Sequence, residues 1–193
     1  MMKITTILGS PRKSGNTATI LRNFEELIRD SHEVKRINIA RKNLKGCLGC
    51  EACQKILDKP GCVQKDDFSE IIHAILDSDI TVYASPVYVW DFSAQLKTLL
   101  DRQYCMMKWK NSNDMKYLLE GKQSVLLTTC GGNAENNADL IQKIFKRAMD
   151  YHHCRIIGNY VVAQCPSTLP SKIVDKAALT AQQMYDDLIK KQY

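Results

Sequence analysis

Two stretches of this chain concentrate residues that could do chemistry. The first reads Gly9-Ser10-Pro11-Arg12-Lys13-Ser14-Gly15-Asn16-Thr17, with hydroxyls, two cations and glycine backbone in one short loop. Set between a strand and a helix, such a loop turns backbone amides and positive side chains toward one point, which suits a dianionic phosphate. A triphosphate-binding loop would end in Gly-Lys-Ser/Thr, whereas Gly15-Asn16-Thr17 stands here, and no G-x-G-x-x-G fingerprint is present. The second stretch is Cys47-x2-Cys50-x2-Cys53-x8-Cys62, which opens like a bacterial ferredoxin run. Three readings of it stay open. Idle free thiols are the plainest, a [4Fe–4S] cluster on all four cysteines comes next, and a Cys47/Cys50 thiol switch last. The switch lacks the strand-to-helix setting of a thioredoxin-like motif.

The elements that must carry these residues alternate between strand and helix. Ile4–Leu8 is a short apolar strand closed by Gly9-Ser10-Pro11. Ile20, Leu21, Phe24, Leu27 and Ile28 then recur at helical spacing, opposite Arg22, Glu25, Glu26 and Arg29. Val34–Ile39 is the second strand, and Asp67 with Glu70 predicts a capping box on the helix that carries Phe68, Ile71, Ile72 and Ile75. Ile80–Ala84 is the third strand, ended by Ser85-Pro86, and Ala94–Gln103 a helix. The polar stretch Lys108–Asp114 is an excursion. Ser124–Thr129 is the fourth strand, running into Cys130-Gly131-Gly132. A helix through Leu140, Ile144 and Phe145 follows, then a strand at Ile156–Ala163 and a helix at Ser171–Lys190. Five strands separated by helices predict a parallel sheet covered on both faces. The unusual loops Gly9–Asn16, Ser85–Ser93 and Cys130–Asn137 then share the rim where such sheets bind ligands.

Composition narrows the function classes. The 193 residues suit one domain spanning 1–193, and 45% hydrophobic content is enough for one core. No apolar run is long enough to span a membrane, and no signal-peptide core precedes Gly9, so the expected setting is the cytoplasm. Eight cysteines there point to free thiols, a metal site or redox chemistry rather than disulfides. The net charge of +6 is scattered along helices without a dense stripe, which argues against nucleic acid as a partner. Four histidines predict no metal site, and His152-His153 is expected to place a cation at a helix end. Cys105, Cys154 and Cys165 are expected to be packing residues.

The Gly9–Thr17 loop, the segment Ser85-Pro86-Val87-Tyr88 and its continuation through Ser93-Ala94-Gln95-Leu96-Lys97 to Leu100-Asp101-Arg102 together resemble the NADPH-dependent FMN reductase branch of the flavodoxin-like superfamily. The resemblance runs from Met2 to about Tyr160. It implies an α/β, flavodoxin-like three-layer sandwich with a five-stranded parallel sheet in the order 2-1-3-4-5. It also implies that Ser10, Arg12, Ser14, Asn16 and Thr17, with Gly15, hold the phosphate of flavin mononucleotide (FMN). Pro86, Val87, Tyr88 and Val89 would lie against the isoalloxazine, with backbone amides after Pro86 on its pyrimidine edge. Thr129, Gly131 and Gly132 would let backbone approach the flat ligand. The implied activity passes hydride from NADPH or NADH through FMN to a small-molecule acceptor: a quinone, flavin, nitro or azo compound. No side chain is required as acid or base. The resemblance implies a homodimer or higher homo-oligomer, with Met106–Leu119 a candidate contact. The cysteine run also resembles the iron–sulfur flavoproteins of this fold, although the Cys53–Cys62 spacing is longer than theirs. Cluster-free reductases of the fold are similar to Cys-x-Gly-Cys-x2-Cys here too.

Overall fold

The computed structural model describes residues 1–111, 114–166 and 173–190. Its central sheet is built from β1 (Lys3–Leu8), β2 (Glu33–Asn38), β3 (Ile80–Pro86), β6 (Gln123–Thr129) and β7 (Arg155–Val162), all parallel, in the order β2-β1-β3-β6-β7. This is the expected flavodoxin-like order, with two strands of a hairpin added to the numbering. The hairpin is β4 (Met107–Asn111) against β5 (Asp114–Tyr117), in the segment read from sequence as a polar excursion.

The strands' two-residue period divides the core into two faces. Ile4, Leu8, Ile80, Val82, Ala84, Val125 and Leu127 pack beneath α1 (Asn16–Ile28) and α5 (Val174–Leu188). Ile7, Tyr83 and Leu126 face α2 (Phe68–Asp77), α3 (Ala94–Arg102) and α4 (Asp139–Tyr151). Gly9 lets the two halves close at the strands' carboxyl ends. A Cβ there would lie 2.8 Å from Leu96 Cβ and 3.1 Å from the Ala84 carbonyl oxygen. Ser93 completes the joint: its hydroxyl donates to Gly9 O (2.7 Å) and accepts from Leu96 N (3.3 Å) as the cap of α3.

Three local expectations need correction. Asp67 does not cap α2. Its carboxylate accepts from Asn43 N (2.8 Å), Phe68 N donates to Asp66 (3.2 Å), and Glu70 pairs with Lys42 (2.5 Å). His152 is not a helix-end cation, because burial pushes its pKa down to about 4 and keeps the ring neutral. Its neighbour His153 stacks on Tyr117 at 3.7 Å. Lys108, the first residue of the supposed polar excursion, is buried. The start of the last helix expected from sequence, Ser171 and Lys172, lies outside the described residues.

Candidate functional site

Strand order reverses between β1 and β3, and a cleft of about 200 Å³ opens over their carboxyl ends and that of β6. It is lined by Ser10, Arg12, Gly15, Asn16 and Thr17 from the first loop, Pro86, Val87 and Tyr88 from the second, and Thr129, Cys130 and Gly131 from the third. Ser14, Val89 and Gly132 do not line it. Ser14 is exposed in the turn before α1, and Val89 projects into solvent. A roomier groove of about 520 Å³ at the opposite strand ends includes Lys3 and Asp77, which pair with each other at 3.0 Å.

The first loop is held in shape by its own groups. Ser10, buried, accepts from Arg12 N at 3.2 Å. Gly15 stands at the N-cap of α1 and has no side chain to cap it, so among the described residues no side chain bonds the amide end of α1 where it meets the cleft. Thr17 and Thr129 share a buried hydroxyl contact of 2.6 Å that ties α1 to the end of β6. Asn16 donates to Pro166 O at 2.9 Å.

Backbone amides in the second loop are less available than the sequence implies. Val87 N donates to Thr129 O (2.8 Å) and Tyr88 N to Asp91 O (2.9 Å). Asp91 N returns a bond to Tyr88 O (3.1 Å), closing a tight turn in which Val89 and Trp90 have φ of 50° and 62°. Positive φ at both central positions is the type I′ pattern that favours Asn-Gly, so Val-Trp is strained there. Trp90 Nε1 donates to Asn136 O (3.2 Å), linking the second loop to the third.

Two lining residues escape sequence reasoning: Cys165 and Pro166. They arrive because Gln164 N and Cys165 N donate to Gly132 O (2.8 Å) and Cys130 O (2.9 Å). A cysteine and a proline after a strand carry no signal for that placement. Burial disfavours the thiolate at both cleft cysteines. Burial raises Cys130, and burial with the neighbouring Cys130 raises Cys165 to about 11.

The cysteine run forms a separate small cavity lined by Cys47, Cys50, Cys53 and Cys62 with Arg102, Tyr104 and Cys105. Two buried cations hold its walls. Arg102 pairs with buried Asp66 and donates to Lys45 O (3.1 Å) and Cys62 Sγ (3.2 Å). Lys108 Nζ donates to Cys53 O and Pro60 O, both at 2.8 Å. Burial works against the Asp66 charge, but the Arg102 hydrogen bond and the amides of Lys45 and Phe68 outweigh it and lower the carboxyl's pKa. Among the described residues, no three His, Cys, Asp or Glu side chains are gathered tightly enough to grip one metal ion.

Comparison with known proteins places this geometry. The family model for NADPH-dependent FMN reductase matches residues 2–165. An iron–sulfur flavoprotein of Archaeoglobus fulgidus is 35% identical over 146 residues, covering 75% of this chain and 63% of that protein. The chain thus spans less than two thirds of that relative's length. An iron–sulfur flavoprotein of Methanosarcina thermophila is 31% identical over 159 residues, 82% and 78% of the two chains. In structure, an NAD(P)H:quinone oxidoreductase from Methanothermobacter marburgensis superposes with a TM-score of 0.74 at 17% identity, covering 97% and 96% of the two chains. With the family model matched from the first strand to the loop after β7, the chain belongs to the NADPH-dependent FMN reductase family.

Proposed function

We propose that this protein binds FMN in the cleft over β1, β3 and β6 and transfers hydride from NADPH or NADH to a small-molecule acceptor. The observation that carries the reading is the uncapped α1 N-terminus facing a cleft whose other walls are hydroxyls, Arg12 and an apolar loop. That donor set fits a phosphate at one end and a flat ring at the other. Ser10, Arg12, Gly15, Asn16 and Thr17 would hold the phosphate, and Pro86 to Tyr88 would line the ring. Of the second loop's amides, those of Val89 and Trp90 are left to meet the pyrimidine edge, since Val87 and Tyr88 are engaged within the protein. Ser14 and Gly132 stand outside the lining and contribute through loop shape. Bound FMN supplies the hydride relay. The protein's part is to orient it, because burial disfavours the thiolates of Cys130 and Cys165 and, among the described residues, no carboxylate or imidazole lines the cleft. Acceptors in this reading are quinones, flavins, nitro compounds or azo dyes. The setting is cytoplasmic, where the eight free cysteines would persist. The assembly in this reading is a homodimer or higher homo-oligomer, which sedimentation equilibrium tests directly.

Arg12→Ala should weaken FMN by about 1–3 kcal/mol, the scale of a charge-assisted hydrogen bond. Flavin fluorescence titration reads the affinity, and NADPH oxidation by the FMN-loaded protein reads the activity. Unchanged affinity would move the phosphate elsewhere; no NADPH oxidation with any of these acceptor classes would end the reductase reading.

A second reading, an iron–sulfur electron carrier, is favoured by one observation: all four cysteines of the run line the same cavity, with Arg102 in its wall and Lys108 bonded to Cys53 O behind it. Four thiolates facing one space are the donor set a [4Fe–4S] cluster takes. Our expectation remains little iron after anaerobic purification and reconstitution. Four irons and four sulfides per chain, reproducibly found, would reverse that order.

A further inference from the structure

We propose that the Tyr88–Asp91 turn is a strained display that presents Trp90 to the second substrate and gives the site a preference for planar aromatic acceptors. The inference rests on the reductase reading above and names the acceptor class and the residue that selects it. Its starting point is a conflict between backbone and side chains. The turn closes with two good backbone bonds, yet its central positions hold a β-branched residue and an indole in the left-handed region. Strain of this kind is normally offset by burial. Here it is not, because Val89 is 84% exposed and Trp90 53%. Asn-Gly would make the same turn without strain. The unrewarded strain lies where function concentrates, in the turn whose first residue, Tyr88, lines the cleft.

The tether to Asn136 explains how the exposed indole keeps its place. One bond from Nε1 joins the loop leaving β3 to the loop leaving β6, its neighbour in the sheet. Asn136 is itself left-handed at φ 55°, which asparagine tolerates, so the strain lies at the Val89–Trp90 end of the tether. Tyr88, 41% exposed, lines the cleft beside it. Two wet aromatic faces next to an apolar wall bind flat π systems by offset stacking and offer little to a compact hydrated anion. The acceptor class is therefore a planar ring such as a naphthoquinone. Its reduction takes up two electrons and two protons; the hydride from NADPH brings both electrons and one proton, and water gives the other.

The test uses FMN-loaded protein in a Trp109→Phe background, which leaves Trp90 as the single tryptophan of the chain's two. Naphthoquinone should quench its fluorescence saturably, and ferricyanide at equal concentration should not. The quinone-to-ferricyanide ratio of kcat/KM should fall about tenfold in Trp90→Gly, the scale of a lost aromatic stack. Trp90→Phe, which keeps an aromatic face, should retain most of that ratio. The melting temperature of Trp90→Gly should rise as the strain is released. An unchanged ratio, a ratio lost equally in Trp90→Phe, a fall in melting temperature or absent quenching would each overturn the proposal. Failure of the protein to take up FMN would strike the reductase reading instead, and quinone quenching of the unloaded protein would still decide the role of Trp90.

Discussion

Neighbouring histidines at the end of α4 have opposite fates because of where each ring lies. His153 is half exposed and stacks on Tyr117, whereas His152 is buried with Nδ1 lacking a partner among the described residues. Desolvation disfavours the imidazolium, so the folded pKa of His152, about 4, lies below the unfolded value near 6.5. The unfolded chain therefore binds the proton first, and acid favours unfolding. The stabilising contribution is complete above pH 6.5 and is lost as pH falls toward 4, to a limit of about 3 kcal/mol. Urea denaturation at pH 7.5 and 4.5 measures it: the wild-type midpoint should fall at low pH, and His152→Phe should flatten that part of the dependence. An equal fall in the variant would place the acid sensitivity in other groups. Residue type and helix position alone read His152 as a favourable cation, and burial reverses the sign. The same limit applies at α2, where the sequence names an acidic cap but packing selects Asp66 over Asp67 to bond Phe68 N.

Between elements, the cysteine run depends on the hairpin beside it. Lys108 on β4 crosses to Cys53 O and Pro60 O, and Gln54 Nε2 donates back to Met107 O at 3.0 Å. Burial lowers the lysine's pKa, with the nearby cysteines opposing the change. Lys108→Met keeps much of the stem's volume but leaves two carbonyls without their donor, a cost of about 1–3 kcal/mol each where they stay buried. The expected result is local opening of the run with the sheet intact. Mass-mapped alkylation should label Cys53 and Cys62 about tenfold faster, with little change at exposed Cys47 and Cys50. Uniform acceleration would mean global destabilisation, and none would remove Lys108 as the brace. This brace is illegible in sequence, because a lysine amid Trp109, Lys110 and Asn111 reads as solvated surface. The sheet and its helices were legible for the complementary reason. The apolar positions of α1 and the Ile-Val-Leu runs of the strands follow simple periods, and each run is long enough to outweigh local exceptions. The rim loops were legible as a set because strand order alone brings them together. Cys165 and Pro166 were not, since bonds to residues far earlier in the chain place them.

On the scale of the whole molecule, the cleft is where the two halves of the sheet meet. The Thr17–Thr129 contact, the Val87–Thr129 bond and the Asn16–Pro166 bond all converge there, joining α1, β3, β6 and the exit of β7. A ligand gripped at that junction should stabilise elements that have little direct contact with it, because unfolding any of them opens the site. FMN at about a hundred times its dissociation constant should add about 2.7 kcal/mol to global stability if it binds only the folded chain. Riboflavin has the same ring but no phosphate, so in the proposed site it would engage the second and third loops without the α1 N-terminus. It should stabilise far less at equal concentration. Hydrogen exchange with each ligand separates the contributions: FMN should protect the first turn of α1 together with the ends of β1, β3 and β6, and riboflavin should leave α1 near its unliganded rate. Equal protection of α1 by the two ligands would show that the phosphate is held elsewhere. Protection confined to the cysteine run would place the flavin in the other cavity and separate it from the sheet's switch point.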